Sequence, residues 1–422
     1  MLQTLFHLRL SWLWAVWAVA SLVSLVWAGR RQGWSAAMRH CLPTIVVLGL
    51  IGAFVLPALC DSDGLPIRGY GVMLLLGLVS GVTLAAYRAR RMGVDPEMIH
   101  VLAFWMVIAG ILGARAFYVI EYWHDYQRPS VLETIKEIVN FTKGGLVVFG
   151  SAIGAGLALM LFVRKFRLPG LALADLIAPS VMLGLACGRV GCFFNGCCFG
   201  GHCDEPWAVR FPAGSPPHMA QAKAGKLPLF GMVLAADKEG RPVIQSIEAG
   251  SQAAEAGLMA GQRVTRVRVN GTEYEASPFK LDDALVRLEM ANHPGDELLI
   301  YTADRPLPAS WTVATPPDRT HPIHPAQLYA AVDALLLCLL LLAYYPYRHR
   351  DGEVFALMVT VHPISRFLQE VIRIDEASVF GTGLSISQNV SILMLVGAIG
   401  LWCYLLRRPK GSVWPAQAAA AM

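Results

Sequence analysis

Charge is scarce in this chain. Asp, Glu, Lys and Arg make up only 15% of its 422 residues, too few to cover the surface of a soluble protein of that length. The formal net charge is +5, and no basic block of the kind that tracks a nucleic-acid backbone is present. The nine cysteines exclude a disulfide scaffold. Cys41, Cys338 and Cys403 lie in apolar runs, where cysteine packs as a small hydrophobe. His-Glu-x-x-His does not occur, which removes the zincin class of membrane protease. What the chain has in quantity is apolar side chains, at 55%, and that points to a membrane protein.

Nine runs are long enough to cross a bilayer: about 10–28, 42–59, 71–87, 100–120, 146–163, 173–194, 328–345, 354–372 and 389–406. A basic stop, "AGRRQGW", follows the first run, so it reads as an anchor and not a cleaved signal. Every odd run is followed by a basic cluster: Arg30 with Arg31 and Arg39, Arg88 with Arg90 and Arg91, Arg164 with Lys165 and Arg167, Arg348 with Arg350, and Arg407 with Arg408 and Lys410. The positive-inside rule then puts the N-terminus and the long 195–325 segment outside and the C-terminus in the cytoplasm.

Within that segment, about 226–305 reads as a compact domain. A strand at Val243–Ile247 leads to a short Ala-rich helix ending at Gly257, then an alternating strand from Val264 to Val269 closed by Asn270-Gly271. "SPFKLDDALVRLEM" supplies a helix and "DELLIYTAD" a last strand. The arrangement resembles a PDZ domain, with Leu229 to Met232 at the carboxylate-binding loop. That resemblance implies a groove taking an extended peptide as an added strand.

Ionisable groups in spans are costly and usually functional. Arg115, Asp175, Arg189, Asp333, His362, Arg366 and Glu370 lie inside spans or at their ends. Arg366, Glu370 and Arg373, at i, i+4 and i+7, share a helix face, which also suits a structural ion pair. Arg115 is near enough to its helix end to snorkel, and Asp175 sits where it complements a helix dipole. Arg189 is harder to explain structurally: it stands in an apolar helix between Gly188 and Gly191. Arg189 and Arg366, on different helices at similar depth, make a fork for a phosphate. "HPAQLYA" offers His324, Gln327 and Tyr329 at the mouth of another span, where a cap and an aromatic-belt role compete with a ligand role. "RGYGVM" places Arg68 and Tyr70 similarly.

"CGRVGCFFNGCCFGGHC", 187–203, raises a metal or redox reading through Cys192, Cys197, Cys198, His202 and Cys203. The ligands crowd at one helix end with no distant second pair, so no metal and no cofactor is expected. A disulfide through Cys198 or Cys203 suits an outer face.

The stretch "GRVGCFFNGCCFG" also resembles the signature of the prolipoprotein diacylglyceryl transferases. Around it stand "RGYGVM", "GARAFYV", "GGLVVFGSAIG", "ADLIAP", "PWAVRFP", "HPAQLY" and "RFLQEVIR", all in the family's order. The resemblance covers roughly 66–215 and 320–408. It implies an all-α polytopic membrane protein with a seven-helix core, extended here by two N-terminal helices and an inserted α+β PDZ-like domain. The expected divisions are 1–65 for the extra helices, 66–215 for the first part of the core, 216–318 for the insert, 319–410 for the second part and 411–422 for a cytoplasmic tail. The implied reaction moves diacylglyceryl from phosphatidylglycerol to the lipobox cysteine thiol of a prolipoprotein, releasing glycerol 1-phosphate at the outer face of the bacterial inner membrane.

The resemblance makes Arg189, Arg366, His324, Glu370 and Tyr70 the expected catalytic residues. Arg189, Asn195, Asp175, Gly200, Gln327, Tyr329 and Arg115 are the expected substrate-binding ones. The sequence departs from the family's pattern in that Cys192 stands for an Asn, Cys197 for a Glu, Phe149 for the His of the Gly-Gly loop and Ala330 for a Glu. These departures leave His324, Glu370 or the arginine field to activate the thiol. An inactive, transferase-like scaffold that binds peptides is the competing reading.

Overall fold

The computed structural model describes residues 4–60, 64–127, 130–140, 145, 147–272, 279–374, 378–379 and 381–414. A short strand β1 (Thr4–Leu8) precedes two long helices, α1 (Leu10–Gln32) and α2 (Trp34–Leu59). Strand β2 (Leu65–Arg68) then pairs antiparallel with β1, and α3 (Gly69–Arg91) starts directly from it. No alternation or turn signal in residues 4–8 and 65–68 announces this ribbon. After α3 come α4 (Pro96–Glu121), short α5 (Trp123–Tyr126), α6 (Val131–Val139), α7 (Val148–Phe166) and α8 (Gly170–Asn195). The 195–325 segment holds α9 (Pro216–Lys223), β3 (Met232–Ala236), β4 (Pro242–Ile247), α10 (Gln252–Glu255), β5 (Val264–Val269), α11 (Leu281–Met290), β6 (Glu297–Thr302) and β7 (Ala309–Thr312). The chain ends in α12 (Ala326–Tyr344), α13 (Glu353–Glu370) and α14 (Ile386–Leu406).

Among the described residues, seven helices are long and apolar enough to cross a membrane: α1, α3, α4, α7, α8, α12 and α14. All nine expected runs are helical. Helix α13 falls short on apolarity because it carries Glu353, Arg366 and Glu370 among its 18 residues.

The chain divides into two compact units. One holds 189–332 and 364–392; the other holds 2–188, 333–363 and 393–422. In the second unit α4 and α7 meet backbone to backbone. A Cβ added at Gly113 would sit 2.4 Å from the Gly150 carbonyl oxygen, and one at Gly154 2.1 Å from that of Ala109. Small residues allow this approach where lipid supplies no hydrophobic drive between helices. In the first unit, β3 pairs with β4, and β5, β6 and β7 form a second antiparallel sheet. Ile244, Val267, Leu285, Leu288, Leu298 and Ile300 fill one core between these strands and α11. The final strand, β7, is an addition to the sequence-based expectation.

The turn linking these strands is tied by side chains. The Asn270 amide donates to Asp296 Oδ1 at 2.9 Å, and the His293 N–H donates to Oδ2 at 2.9 Å. These bonds hold the Asp296 carboxyl below its usual range. A depressed carboxylate stabilises the fold above its unfolded pKa near about 3.9, and that contribution is lost as pH falls through the folded value. Amide-exchange protection at His293 and Glu297 in the full chain is expected to drop below about pH 4. Asn270→Ala should move that loss to higher pH; a profile unchanged by the substitution contradicts the assignment.

Candidate active site

Arg189 lies in the last two turns of α8, half-buried, between Gly188 and Gly191. Among the described residues no hydrogen-bond acceptor or carboxylate pairs with it. Arg366, late in α13, is near enough for the two guanidiniums to repel each other. Arg366 donates to Glu370 Oε2 and, at 2.8 Å, to Ser387 Oγ at the start of α14. Arg373 donates to the same Glu370 oxygen at 3.1 Å. Three guanidiniums thus gather around the Glu370 carboxylate, a local concentration of positive charge. Partly desolvated, that charge is matched to an oxyanion.

The segment after α8 is folded back by left-handed residues, Gly196 at φ 79° and Cys198 at φ 59°. It then runs between two others. The Gly200 N–H donates to the His324 carbonyl at 3.1 Å, the His324 N–H to Gly201 at 2.9 Å, and the Gly201 N–H to Ile372 at 2.9 Å. The motifs "NGCCFGG", "HPAQLY" and "QEVIR", far apart in sequence, are therefore stitched together by backbone. Gly200 is required there, because an added Cβ would lie 2.6 Å from the His324 Cβ. Gly200→Ala should lower stability by about 1–3 kcal/mol through forced backbone movement, seen as a lower melting temperature in detergent. An unchanged melting temperature counts against the close fit.

His324 belongs to a short relay. The Trp207 indole N–H donates to Tyr329 Oη at 2.8 Å, and His324 Nδ1 lies 3.3 Å from the same oxygen. The phenol oxygen keeps a second lone pair beside the one facing Trp207, so this contact can run from the phenol O–H to the imidazole or from an imidazole N–H to the phenol. Gln327 is buried and donates to the Cys197 carbonyl at 2.7 Å. Asn195 is exposed, with its side chain bonded to the Cys197 thiol.

Tyr70, Arg115 and Asp175 belong to the other unit. Tyr70 is exposed in the first turn of α3. Arg115 does not snorkel: it is buried, and its guanidinium donates to the carbonyls of Ile138, Glu137, Asn140 and Gly145 at 2.8–3.2 Å. Its cation also faces the Tyr126 ring at 5.3 Å. These bonds tie it to the segment around α6. Asp175 is fully buried and accepts from Gly352 N–H at 2.7 Å and Phe355 N–H at 2.8 Å. It caps α13 and not its own helix, which corrects the dipole reading. Arg88 and Arg348 flank the Tyr345 ring at 4.2 and 3.7 Å, and Arg348 Nε lies 3.6 Å from the Asp175 carboxylate.

Sequence reasoning took Arg88 and Arg348 for orientation signals only; nothing in their spacing shows that they fold inward. It placed Arg373 on the face of Arg366 and Glu370 without giving it a site role, and it missed Trp207 and Ser387 as site neighbours. Arg373 and Trp207 stand inside the recognised motifs "RFLQEVIR" and "PWAVRFP", which was the available signal.

All nine cysteines are free thiols. Cys203 is buried, while Cys192, Cys197 and Cys198 are half-buried with their sulfurs within 4.8 Å of one another.

The family model for prolipoprotein diacylglyceryl transferase matches residues 57–404. Over 418 residues the chain is 32% identical to the phosphatidylglycerol–prolipoprotein diacylglyceryl transferase of Rhodopirellula baltica, covering 90% of this chain and 82% of that protein. Shorter matches are found to proteins of the same name from Trichormus variabilis, at 37% identity over 39% of this chain and 57% of the relative, and from Clostridium tetani, at 35% over 37% and 60%. The chain belongs to the prolipoprotein diacylglyceryl transferase family.

Proposed function

We propose that this protein is a phosphatidylglycerol–prolipoprotein diacylglyceryl transferase. The observation that carries the reading is Arg189, a half-buried guanidinium without a partner among the described residues, beside the cationic Arg366–Glu370–Arg373 cluster. The lipid phosphate takes its place against Arg189 and Arg366. The lipobox thiol attacks the glycerol carbon, a C–S bond forms and the C–O bond breaks. Glycerol 1-phosphate leaves with the bonding electrons, and the arginines stabilise the charge that grows on it.

The thiol proton goes to Glu370. Its Oε2 takes both guanidiniums, and Oε1 serves as the acceptor. His324, tied to Tyr329, is a hydrogen-bonding partner for the headgroup. Asn195, Gly200, Gln327 and Tyr329 shape this region. The catalytic assignment of Tyr70 rests on the resemblance alone.

The basic clusters support an orientation with the N-terminus and the insert outside and the C-terminus in the cytoplasm. The insert reads as PDZ-like, with β3 and α11 as the groove walls. Helix α9 packs against both walls, buries Ala222 in the same core and pairs Lys223 with Asp282 at 2.7 Å. The chain's own helix lies beside both walls, which favours a rigid spacer over the peptide-binding role expected from sequence.

Complementation tests the activity. In a bacterium depleted of its own transferase, the wild-type chain should restore growth, and Arg189→Ala present at equal membrane levels should not. Failure of the wild-type chain despite membrane insertion refutes the proposal.

A further inference from the structure

We infer that Cys192, Cys197 and Cys198 form a binding site for one thiophilic d10 cation, Cu(I) or Zn(II). Crowding at a helix end argued against metal when only the spacing was known, but the three-dimensional arrangement removes that objection. Cys192 is in the last turn of α8. The left-handed Gly196 and Cys198 reverse the chain so that the two following thiols return to the first. All three sulfurs lie within 4.8 Å of one another. A metal–sulfur bond of about 2.3 Å places the sulfurs of a trigonal or tetrahedral site about 4 Å apart, so small side-chain rotations suffice.

Three further observations support a built site. First, Cys198 adopts φ 59°, a conformation that a non-glycine residue holds at a cost of about 1–3 kcal/mol. A glycine would serve the turn more cheaply but would carry no thiol. Second, the cluster is half-buried, so an ion can reach it while water is partly excluded. Third, the charges match. Arg189 stands three residues before Cys192, on the same helix face. Three thiolates leave a net charge of −2 around Cu(I) and −1 around Zn(II), and a guanidinium on the same helix face reduces either by one. Soft thiolates select these two ions over harder divalent cations. On binding, the three S–H groups release their protons to solvent, and no electron transfer is involved.

This inference stands whether or not the transferase reading does. The test uses the reduced full-length protein, purified in detergent under anaerobic conditions. Cu(I) is titrated against a chromophoric Cu(I) chelator, and Zn(II), in a separate arm, against a zinc chelator. The expected result is one equivalent bound per chain in at least one arm. Cys192→Ser, Cys197→Ser and Cys198→Ser should each weaken it by about 100-fold or more, and Cys403→Ser should not. X-ray absorption on the loaded wild-type protein should count three sulfurs, alone for Cu(I) or with one lighter ligand for Zn(II). That count does not depend on any variant folding. No binding in either arm, affinity retained in the three variants, or a count of two sulfurs or fewer overturns the site.

Discussion

Arg189→Ala should lower diacylglyceryl transfer by about 100- to 1,000-fold, the usual cost of removing one preorganised oxyanion donor. The loss should fall mainly on kcat, because the charge that Arg189 faces grows as the leaving phosphate departs. Labelled phosphatidylglycerol and a lipobox peptide give the measurement. Arg189→Lys should recover only part of the rate, since an ammonium keeps the charge but cannot bind an oxyanion with two parallel N–H groups. Folding should be preserved in both, because Arg189 has no partner among the described residues to lose. A variant that is folded and transfers at the parental rate removes the central argument for the site.

Asp175→Ala should act in the opposite manner, on stability and not on chemistry. The carboxylate caps α13 through Gly352 and Phe355 and faces Arg348 at 3.6 Å, all in the interior. Removing it strands two backbone donors and uncovers buried cations, a loss of about 3–5 kcal/mol. Thermal unfolding in detergent reads this directly. Asp175→Asn keeps an acceptor and should lose less. The surviving folded fraction should transfer at near the parental specific rate. A full-stability, low-activity Asp175→Ala would return this residue to the substrate-binding set.

The helices were legible because a bilayer demands apolar runs of fixed length, and all nine expected runs fold as helices, seven of them apolar enough to span among the described residues. The strands of the insert were legible too, from alternation and glycine turns around Val264–Val269. Side-chain partnership was not legible. Arg115 and Asp175 looked like functional charges because an ionisable residue in a span is rare. Only folding shows that one is used up on four carbonyls and the other on a helix end. Arg189 has the same sequence character as Arg115, and what separates them is the presence or absence of partners, a property of the fold. Glycine motifs carried more information than charge: Gly200 and Gly201 mark the place where three segments cross, although their partners could not be named from spacing.

The backbone bonds joining residues 200–203 to 322–324 also determine how much freedom the insert has. The chain leaves for the insert and returns from it along adjacent, mutually bonded segments, with Val209 also bridged to Ile323. Those bonds fix the distance between His324 and the loop that follows Arg189 at the point where the intervening segment begins and ends. The clasp thus works as a hinge pin: the spacing of the loop after Arg189 from His324 is held locally, by backbone bonds, and does not depend on the hundred-odd residues between them.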